Sequence, residues 1–428
     1  MKRSYISGVT PGKRCKIQGF VENIRDKSKF AFIVVKDITG KLQLFIDKEK
    51  YPELARKAGQ LTIHSVVSAE GEVIENASVK LGGMEMCPDD LAIESIADAL
   101  PIAGDSAIDV KMDYRWIDLR SDENTLIFKV QTEMVRAMRD FLLDRNFMEI
   151  HTPKLIGSAS ESGASVFELK YYDRKAYLAQ SPQFYKQMAM AAGFDRIFEV
   201  GPCFRAEKSY TSRHTTEFTS FDLEFAYIDS FYDVMKMEEE LLTHMLEKVD
   251  EKFGGEIKEK FGIEVVVPKE PFPIMKLRDI YAEIEARYGY TVPESEKGDL
   301  TTEAEQLCFK LSKEKFGSEF LFVTDFDSEK RAFYHMRENG VPQGFDLLWR
   351  GVEITSGAQR EHRYEVLKSV VEKMGLGEDV KYYLEFFKYG CPSHGGFAVG
   401  VDRLTMLMFG LHIKDSMFLF RGPNRLTP

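Results

Sequence analysis

The sequence predicts an α+β protein, with a small all-β domain in front of a larger domain of helices and strands. Residues 13 to about 95 contain five short strand-like segments and one helix-like segment after the third. From Asp122 onward, apolar residues recur every three or four positions, as in an amphipathic helix. Residues 201–225 have the alternation of two antiparallel strands joined by a long polar loop. The length of 428 residues, 44% of them hydrophobic, suffices for two or three domains.

Composition argues against membrane, disulfide-rich and zinc-dependent classes. No run approaches the roughly 18 apolar residues of a membrane span, and the N-terminal sequence MKRSYISGVTPGKR lacks the apolar stretch of a signal peptide. The five cysteines form no CxxC pair, and the eight histidines form no HxxxH or HExxH pair. We therefore expect a cytoplasmic protein without membrane association. The cysteines are Cys15, Cys87, Cys203, Cys308 and Cys391.

The net charge of −11 is unevenly distributed along the chain. Residues 1–60 hold 14 Lys and Arg against 6 Asp and Glu, a net charge of +8, and the remaining residues carry −19. This asymmetry predicts a basic module that contacts nucleic acid, attached to an acidic body. The alternative is ordinary variation of charge among small domains.

The N-terminal segments predict a specific kind of barrel. Strands are expected at 16–24, 30–36, 42–46, 65–74 and 79–86, with a helix at 50–58. Five short strands with a helix after the third match the outline of an OB-fold, whose open face binds single-stranded nucleic acid. A different small barrel fits the pattern nearly as well.

The hairpin at 201–225 has one apolar face and one acidic face. Phe221, Leu223 and Phe225 share the first, while Ser220, Asp222 and Glu224 share the second. The connecting loop carries Arg205, Arg213 and His214 at its mouth. Such an arrangement suits a ligand with a phosphate at one end and an ammonium at the other. The alternative is a surface hairpin with a solvated polar face.

Three segments in order resemble the motifs of class II aminoacyl-tRNA synthetases. The helix after Asp122, its expected N-cap, together with the strand up to residue 153, resembles motif 1, which forms the dimer interface in that family. F-R-x-E, a loop, R-H-x-x-E-F and an acidic strand resemble motif 2 at 201–225, and the glycine-bearing segment Gly395–Leu404 resembles the family's motif 3, G-x-G-x-x-R, at 395–410. The resemblance implies a catalytic domain at 123–428 with an antiparallel sheet flanked by helices, a hinge at 96–122 and an OB-fold anticodon-binding domain at 1–95.

The barrel segment resembles the anticodon-binding domain of the aspartyl, asparaginyl and lysyl subgroup. The similarity lies in Gly19-Phe20-Val21, Arg25, Phe32, Asp37, Gly40 and Gln43. It implies that Phe32 stacks on an anticodon base and that Arg25 and Gln43 bind base edges. The alternative for Phe32 is an ordinary core position. Phe20 departs from the family, whose members often carry Trp there.

Two segments resemble the amino-acid pocket of aspartyl-tRNA synthetases. They are Q-S-P-Q-x-x-K-Q at 180–187 and E-I-x-S-G-A-Q-R at 353–360. The second segment begins at the end of a strand expected at 343–354, and its remaining residues are expected to form a turn of small residues. The resemblance implies that Lys186 and Arg360 bind the side-chain carboxylate of aspartate, so that replacing either by Leu abolishes activation with the fold intact. The aspartate-binding set it implies is Glu161, Gln183, Lys186, Arg205, Asp222, Ser356 and Arg360. Ser162 departs from the family glycine beside Glu161.

The same resemblance implies an ATP site with Mg²⁺. Arg205, Arg403 and Glu353 are the expected catalytic residues, and Glu353 and Ser356 the expected metal ligands, since Mg²⁺ prefers oxygen donors. The glycines of motif 3 are expected to let the nucleotide approach closely. Residues 255–340 show no catalytic pattern and are expected to form only the body of the domain. The implied ATP-binding set is Arg205, Glu207, Arg213, His214, Thr215, Phe218, Glu353, Gly400, Val401, Asp402 and Arg403.

The implied function is that of a homodimeric enzyme that activates L-aspartate with ATP and transfers it to tRNA-Asp, and also to tRNA-Asn if the barrel does not discriminate. Three alternatives remain open from the residues. They are an asparaginyl-tRNA synthetase, a ligase that forms aspartyl-adenylate without using tRNA, and an RNA-binding protein with an inactive catalytic body.

Overall fold

The chain forms two compact units, Met1–Ser106 and Ala107–Pro428. The computed structural model describes residues 1–157, 166–208, 213–377 and 380–428. Within these ranges, no helix is long and apolar enough to cross a membrane.

The first unit is a closed five-stranded barrel with strand order β1-β2-β3-β5-β4, in which β4 pairs back to β1. This architecture confirms the predicted OB-type barrel. The fifth strand was placed too early at 79–86, because residues 76–83 form a turn, after which Glu85 and Met86 pair with β3. The elements are β1 Arg14–Asp26, β2 Phe30–Asp37, β3 Gly40–Asp47, α1 Pro52–Ala58, β4 Val66–Glu75 and β5 Met84–Ser95.

Strand alternation decides which side chains fill the barrel. In β2, Ala31, Ile33 and Val35 are buried in the barrel core, while Phe32 between them lies on the outer face. Phe32 is therefore not a core residue, and the alternative interpretation of this position is wrong. The turn after β2 is held by Asp37, whose carboxylate accepts the backbone N–H of Thr39 at 2.7 Å.

The basic charge of residues 1–60 is balanced inside its own unit. Residues 61–106 contain one Lys and nine Asp and Glu, so the barrel unit as a whole has no net charge. The expectation of a basic module on an acidic body is therefore wrong at the level of the domain. The boundary at residue 60 fell in the middle of the barrel, before its two acidic strands.

The segment expected as a hinge, 96–122, is divided between the two units. Its second half contains α2 Ile108–Asp113 and α3 Arg115–Asp118. Arg115 is fully buried, and its guanidinium donates to the backbone oxygens of Asp415 at 2.9 Å and Met417 at 2.8 Å. These bonds make residues 107–118 part of the larger unit.

The larger unit is built around an eight-stranded sheet of order β12-β13-β16-β17-β18-β11-β10-β6. Its central strands are antiparallel, as predicted, but β12 and β6 at the two edges pair in parallel with their neighbours. Two small sheets, β14-β15 and β7-β9-β8, lie outside it. The strands are β6 Met148–Glu149, β7 Leu155–Ile156, β8 Glu168–Tyr171, β9 Arg174–Leu178, β10 Arg196–Phe204, β11 Glu217–Ala226, β12 Ile274–Lys276, β13 Phe320–Thr324, β14 Arg337–Glu338, β15 Val341–Pro342, β16 Gly344–Trp349, β17 Val352–Gln359 and β18 His394–Gly400. The remaining helices are α4 Asp122–Leu143, α5 Gln183–Ala191, α6 Phe231–Phe261, α7 Leu277–Tyr288, α8 Thr302–Phe316, α9 Tyr364–Lys373, α10 Lys381–Lys388, α11 Val401–Phe409 and α12 Ile413–Ser416.

Helices α4 and α6 cover one face of this sheet. The apolar positions predicted for α4 are all buried, and they share one core with Phe221, Leu223 and Phe225 of β11. The N-cap of α4 is Ser121 rather than Asp122, because the Ser121 hydroxyl accepts the backbone N–H of Asn124 at 3.1 Å. With one face packed on helices, the acidic face of β11 is left for a site on the other side.

One carboxyl group is buried in this core without a charged partner. Glu238 of α6 is fully buried, and neither carboxyl oxygen makes a hydrogen bond among the described residues. Burial raises its pKa from 4.5 to about 8, the negative charge of Asp346 adds to the rise, and the hydroxyl of Thr355 opposes it. Glu238 is therefore protonated at neutral pH.

Replacing Glu238 by Gln should change how stability depends on pH. The folded-state pKa of about 8 lies above the ordinary value of 4.5, so the folded wild type holds an extra proton between these values. Wild-type stability should therefore fall relative to that of Glu238→Gln as the pH rises from about 5 to 8, by up to roughly 4 kcal/mol. Urea unfolding at several pH values measures this. Glu247→Gln, an exposed change on the same helix, is the control, and equal pH dependence in wild type and Glu238→Gln would contradict the assignment.

Candidate active site

The open face of the sheet forms the floor of a cavity of about 370 Å³. Strand pairing arranges the floor in rows across β17, β18 and β11. Ser356, Ala398 and Asp222 are paired in one row, and Ala358, Gly396 and Glu224 form the next. The small residues of the central strand leave room for a ligand, while charged side chains from both sides form its walls.

A cluster of four buried charges occupies one end of this cavity. The Lys186 ammonium of α5 lies 3.0 Å from Asp222 Oδ1 and 3.5 Å from Glu224 Oε2. The Arg360 guanidinium, just after β17, donates from Nε to Glu224 Oε1 at 2.9 Å and from Nη2 to the Gly396 carbonyl at 2.8 Å. All four side chains are at most 3% exposed. Two cations and two anions are thus held together out of water, without net charge.

Glu224 is the residue that joins the two cations, and it was not singled out from the sequence. Burial by itself raises its pKa, but Arg360 and Lys186 outweigh this effect and hold the pKa below its ordinary value. The sequence offered one indication of this role, which is that Glu224 lies on the acidic face of β11, two residues after Asp222. Since both cations already neutralise buried carboxylates, we now expect that replacing either by Leu destabilises the fold as well as abolishing activation.

An irregularity in β17 directs both expected metal ligands into the cavity. Glu353 and Ser356 would face opposite sides of a regular strand, because their spacing is odd. The pairing with β16 shifts by one residue here: Glu353 pairs with Leu348 and Thr355 with Leu347, leaving Ile354 as the extra residue of a bulge. The bulge restores Glu353 and Ser356 to the same face, and both line the cavity.

The strand and turn expected at 343–360 are arranged differently in the structure. The chain reverses at Arg350 and Gly351, both with positive φ, so that β16 and β17 form a hairpin. Residues 355–359, expected as a small-residue turn, are part of β17. The prediction of one continuous strand was wrong because the apolar run continues on both sides of the turn. Gly351 was the one residue in the sequence that indicated a reversal of the chain there.

A second carboxylate, Asp346, faces the same part of the cavity as Glu353. Arg331 holds it with a two-pronged ion pair, Nη1 to Oδ1 at 2.8 Å and Nη2 to Oδ2 at 2.6 Å. Burial, reinforced by the charge of Asp346, raises the pKa of Glu353 to about 7. Two crowded carboxylates and the Ser356 hydroxyl provide the oxygen donors that a hard divalent cation prefers. Asp346 was missed, although its place opposite Ser356 follows once the hairpin is known.

The motif 2 residues meet at the opposite end of the cavity. The Arg205 guanidinium lies 5.3 Å from the centre of the Phe218 ring. Arg213 forms an ion pair with Glu305 of α8 and donates from Nη2 to Thr302 Oγ1 at 3.2 Å. Burial, followed by the charges of Arg403 and Arg213, lowers the pKa of His214, so its ring is neutral at physiological pH. This end is rich in arginine, as a polyphosphate site requires.

Three residues of the expected ATP set have structural roles. The Thr215 hydroxyl donates to the backbone oxygens of Glu217 at 2.8 Å and Arg421 at 2.7 Å. Asp402 accepts the backbone N–H of Thr219 at 2.7 Å. The side chain of Val401 is packed in the core and does not line the cavity, so its predicted place in the ATP site is wrong for the side chain.

The glycine Gly396 of motif 3 serves the sheet rather than the cavity. A Cβ atom there would lie 2.1 Å from the Leu223 carbonyl oxygen and 2.4 Å from Glu224 Oε2. Only glycine lets the backbone of β11 and the Glu224 carboxylate come this close. The expectation that the motif 3 glycines accommodate nucleotide is therefore wrong for Gly396.

The structure brings nearly all of the other predicted residues together in one cavity. Glu161 lies outside the described residues. The expectation that 255–340 lacks site residues is wrong, because six residues of this segment line the cavity. The predicted residues that line the cavity are Gln183, Lys186, Arg205, Glu207, Arg213, His214, Thr215, Phe218, Asp222, Glu353, Ser356, Arg360, Gly400, Asp402 and Arg403. Those contributed by the unassigned segment are Asp299, Lys330, Arg331, Ala332, Tyr334 and His335.

The predicted anticodon residues form a cluster on the outer face of the barrel. Arg25 and Phe32 are paired across β1 and β2, with the guanidinium 5.3 Å from the ring centre. Arg25 Nη2 donates to Gln43 Oε1 at 2.7 Å, and Gln43 Nε2 donates to Glu85 at 2.7 Å. The three predicted residues are thus adjacent, and Glu85 is a partner that the sequence did not indicate.

The buried charge cluster makes a prediction about stability. Lys186→Met leaves two carboxylates with one cation and should destabilise the fold by about 3–5 kcal/mol. Adding Asp222→Asn restores the charge balance and should recover part of that loss without restoring activity. Urea unfolding measures both variants.

The matched control is the exposed pair Lys276–Asp325, whose ions are 2.9 Å apart. Lys276→Met should change stability by less than about 1 kcal/mol. A Lys186→Met protein as stable as this control would show that the cluster is not a structural requirement.

The two units match two known families. Residues 107–420 match the family described as tRNA synthetases class II (D, K and N). Residues 15–93 match the family described as OB-fold nucleic acid binding domain.

Full-length relatives and solved structures agree with these matches. The chain is 40% identical over 444 residues to an aspartate–tRNA(Asp/Asn) ligase of Methanopyrus kandleri, and 38% identical over 442 residues to an aspartate–tRNA(Asp) ligase of Pyrococcus abyssi, with 100% of each chain covered. It superposes on the asparaginyl-tRNA synthetase of Pyrococcus horikoshii complexed with asparaginyl-adenylate with a TM-score of 0.91 at 30% identity, covering 100% of both chains. For the aspartyl-tRNA synthetase of Entamoeba histolytica the TM-score is 0.87 at 28% identity, covering 100% of this chain and 93% of that one. The chain therefore belongs to the class II aminoacyl-tRNA synthetases of the aspartate, lysine and asparagine group, and it is an aminoacyl-tRNA ligase.

Proposed function

We propose that this enzyme activates L-aspartate with ATP and transfers it to tRNA. The observation that carries the proposal is the pair of buried cations, Lys186 and Arg360, beside the Asp222 carboxylate at one end of the cavity. An amino acid with an acidic side chain fits this end. The phosphate-binding arginines lie at the other end, as the joining of an amino acid to ATP requires.

The side chain of aspartate is selected by donors that cannot act as acceptors. Lys and Arg side chains only donate hydrogen bonds. Among the described residues no hydrogen bond engages Arg360 Nη1, which leaves this nitrogen for a ligand. A carboxylate offers acceptors to both cations, whereas the amide nitrogen of asparagine would place a donor against donors. Both cations keep Glu224 as a partner whichever ligand is bound, so the rejection of asparagine rests on hydrogen-bond donors and not on unpaired charge.

The ammonium and the α-carboxylate of aspartate occupy the centre of the cavity. Asp222 and Gln183 are the acceptors for the ammonium, with Glu161 from the family resemblance as a third. Arg205, which also lines the cavity, binds the α-carboxylate together with the α-phosphate. The ligand's charges thus meet opposite charges at three positions, which fixes the carboxylate for attack.

The chemistry requires positioning and charge neutralisation rather than a protein nucleophile. An α-carboxylate oxygen attacks the α-phosphorus of ATP, the bond to the β-phosphate oxygen breaks, and pyrophosphate leaves. A terminal ribose hydroxyl of tRNA then attacks the acyl carbon and AMP leaves. Arg205 stabilises the charge developing on the α-phosphate, and Arg213 and Arg403 bind the distal phosphates.

Magnesium fits the carboxylate pair next to this phosphate site. Asp346 and Glu353, with the Ser356 hydroxyl, would hold it. Burial in the first place, and then the negative charge of Asp346, raise the pKa of Glu353, and a cation bound there would oppose both effects. When bound, Mg²⁺ neutralises phosphate charge. Asp346 extends the ligand set expected from Glu353 and Ser356 alone.

The barrel selects tRNA through its outer aromatic and polar face. Phe32 stacks on a base, and Arg25 and Gln43 bind base edges. Phe20 is 37% exposed on β1, and its ring has no hydrogen-bond donor with which to select one base over another. We therefore propose that the enzyme charges tRNA-Asn as well as tRNA-Asp, in line with the Methanopyrus kandleri relative.

We also propose a homodimer built on α4 and the strands that follow it. Leu143, Met148 and Leu155 lie at the end of α4, in β6 and in β7, and each is more than half exposed. Exposed apolar side chains along this stretch of chain are what an interface would cover. Sedimentation should give twice the chain mass of 49.1 kDa.

The five free cysteines fit a reducing cytoplasm.

Two assays with the purified protein test the proposal. Pyrophosphate exchange should depend on aspartate and should prefer it over asparagine by at least about a hundredfold, because the cavity cations reject an amide. Preference for asparagine would establish the asparaginyl alternative, which the Pyrococcus horikoshii neighbour makes the strongest rival.

Charging of two transcripts, tRNA-Asp and tRNA-Asn, tests the tRNA step. We expect aspartate to be attached to both. Charging of tRNA-Asp alone would refute the proposed role of Phe20, and charging of neither with exchange intact would identify a ligase that does not use tRNA. A Phe32→Ala variant should lose charging while keeping pyrophosphate exchange, since stacking contributes about 1–3 kcal/mol per base.

A further inference from the structure

A chain of hydrogen bonds runs from the start of β18 to the amino-acid end of the cavity. The backbone oxygen of Pro392 lies 2.8 Å from His394 Nδ1, and His394 Nε2 lies 3.1 Å from Gln187 Nε2. Gln187 Oε1 then accepts from the Tyr383 hydroxyl at 2.9 Å and from Gln183 Nε2 at 3.1 Å. Every side chain in it is at most 5% exposed. Only Gln183 belongs to the site proposed above.

The first bond of the chain fixes the direction of all the others. A carbonyl oxygen only accepts, so Nδ1 of His394 must carry the hydrogen when it lies 2.8 Å from the Pro392 oxygen. An unprotonated Nδ1 would set two lone pairs against each other. The Cys391 thiol is 3.7 Å from Nδ1 and is the weaker partner. Burial lowers the pKa of His394 to about 4, so the ring is neutral and Nε2 is an acceptor.

The polarity is passed on through two glutamine amides. An accepting His394 Nε2 requires the amide nitrogen of Gln187 to face it, which turns the Gln187 oxygen toward Tyr383 and Gln183. Gln183 must then present its nitrogen to Gln187. Its own oxygen is left as the acceptor for the cavity that it lines.

We propose that His394, Gln187 and Tyr383 are positioning residues that hold the Gln183 amide with its oxygen toward the cavity, so that it accepts a hydrogen bond from the substrate ammonium. An amide can bind with either end, and the reverse orientation would oppose a donor to the ammonium. This inference rests on the proposed aspartate site and explains why a neutral amide there recognises a cation.

The main test removes the relay without changing its volume. Gln187→Met frees the Gln183 amide to rotate, and the KM for aspartate in pyrophosphate exchange should rise about tenfold or more, since a hydrogen bond to a charged group is lost. The kcat and the KM for ATP should stay near their wild-type values, because the bond is made in ground and transition states alike.

Succinate separates orientation of the amide from general damage to the pocket. It carries both carboxylates of aspartate but no ammonium, so its inhibition constant should be the same in wild type and Gln187→Met. A parallel rise in the inhibition constant for succinate would show a merely structural role and overturn the proposal. Gln131→Met is the matched control. The amide nitrogen of Gln131 donates to Thr405 Oγ1 at a distance of 3.1 Å, and neither residue lines the cavity. This variant should change neither the KM for aspartate nor the inhibition constant for succinate.

A second measurement does not depend on activity. In ¹⁵N-histidine NMR of the full-length protein, His394 should show the Nδ1–H tautomer, with its signal assigned by loss in His394→Gln. The Nε2–H tautomer would overturn the relay. If Gln187→Met does not fold, Tyr383→Phe removes a single hydroxyl donor and should raise the KM for aspartate by a smaller factor, without affecting succinate.

The outcomes distinguish this inference from the proposed function. Absence of aspartate-dependent exchange in the wild type would refute the proposed function, while the tautomer of His394 would still decide the relay. Normal exchange in the wild type with an unchanged KM in folded Gln187→Met would refute the relay alone.

Discussion

The constraint on which the site depends is that four charges are buried with no water to solvate them. Lys186, Asp222, Glu224 and Arg360 come from α5, β11 and the segment after β17, which are distant in sequence. None of these charges is tolerable alone in such surroundings, because desolvating an ion costs several kcal/mol. The three segments must therefore assemble together. The end of the cavity where we propose that the amino acid binds is thus also a point where the fold is held together.

Small residues and one irregularity give the remainder of the cavity its form. Ala398 leaves space at the centre of the cavity floor, and at Gly396 any side chain would collide with β11. The bulge at Ile354 turns Glu353 and Ser356 to the same side. The face that we propose binds Mg²⁺ exists because one residue in β17 is left out of the pairing with β16.

Much of the fold followed from the pattern of the sequence, and most of the site residues followed from its resemblance to the class II synthetases. Alternation placed most barrel strands and both faces of β11, and helical periodicity placed α4, because these depend on neighbours close in the chain. The fifth barrel strand and the hairpin turn at Gly351 were misplaced, since apolar runs without clear turn residues do not show where they reverse. Asp346 was missed for the same reason: only the hairpin sets it opposite Ser356.

The sequence by itself determined the kinds of chemistry available, through arginines for phosphate, carboxylates for ammonium and metal, and a barrel with an exposed aromatic residue. Only the tertiary structure decided partners and polarity. Three features depend on groups that are far apart in the chain. They are the sharing of Glu224 by two cations, the raised pKa of Glu353, and the direction of the Gln183 amide. The physical reason is that desolvation and hydrogen-bond direction are properties of the whole surroundings of an atom, which no local pattern contains.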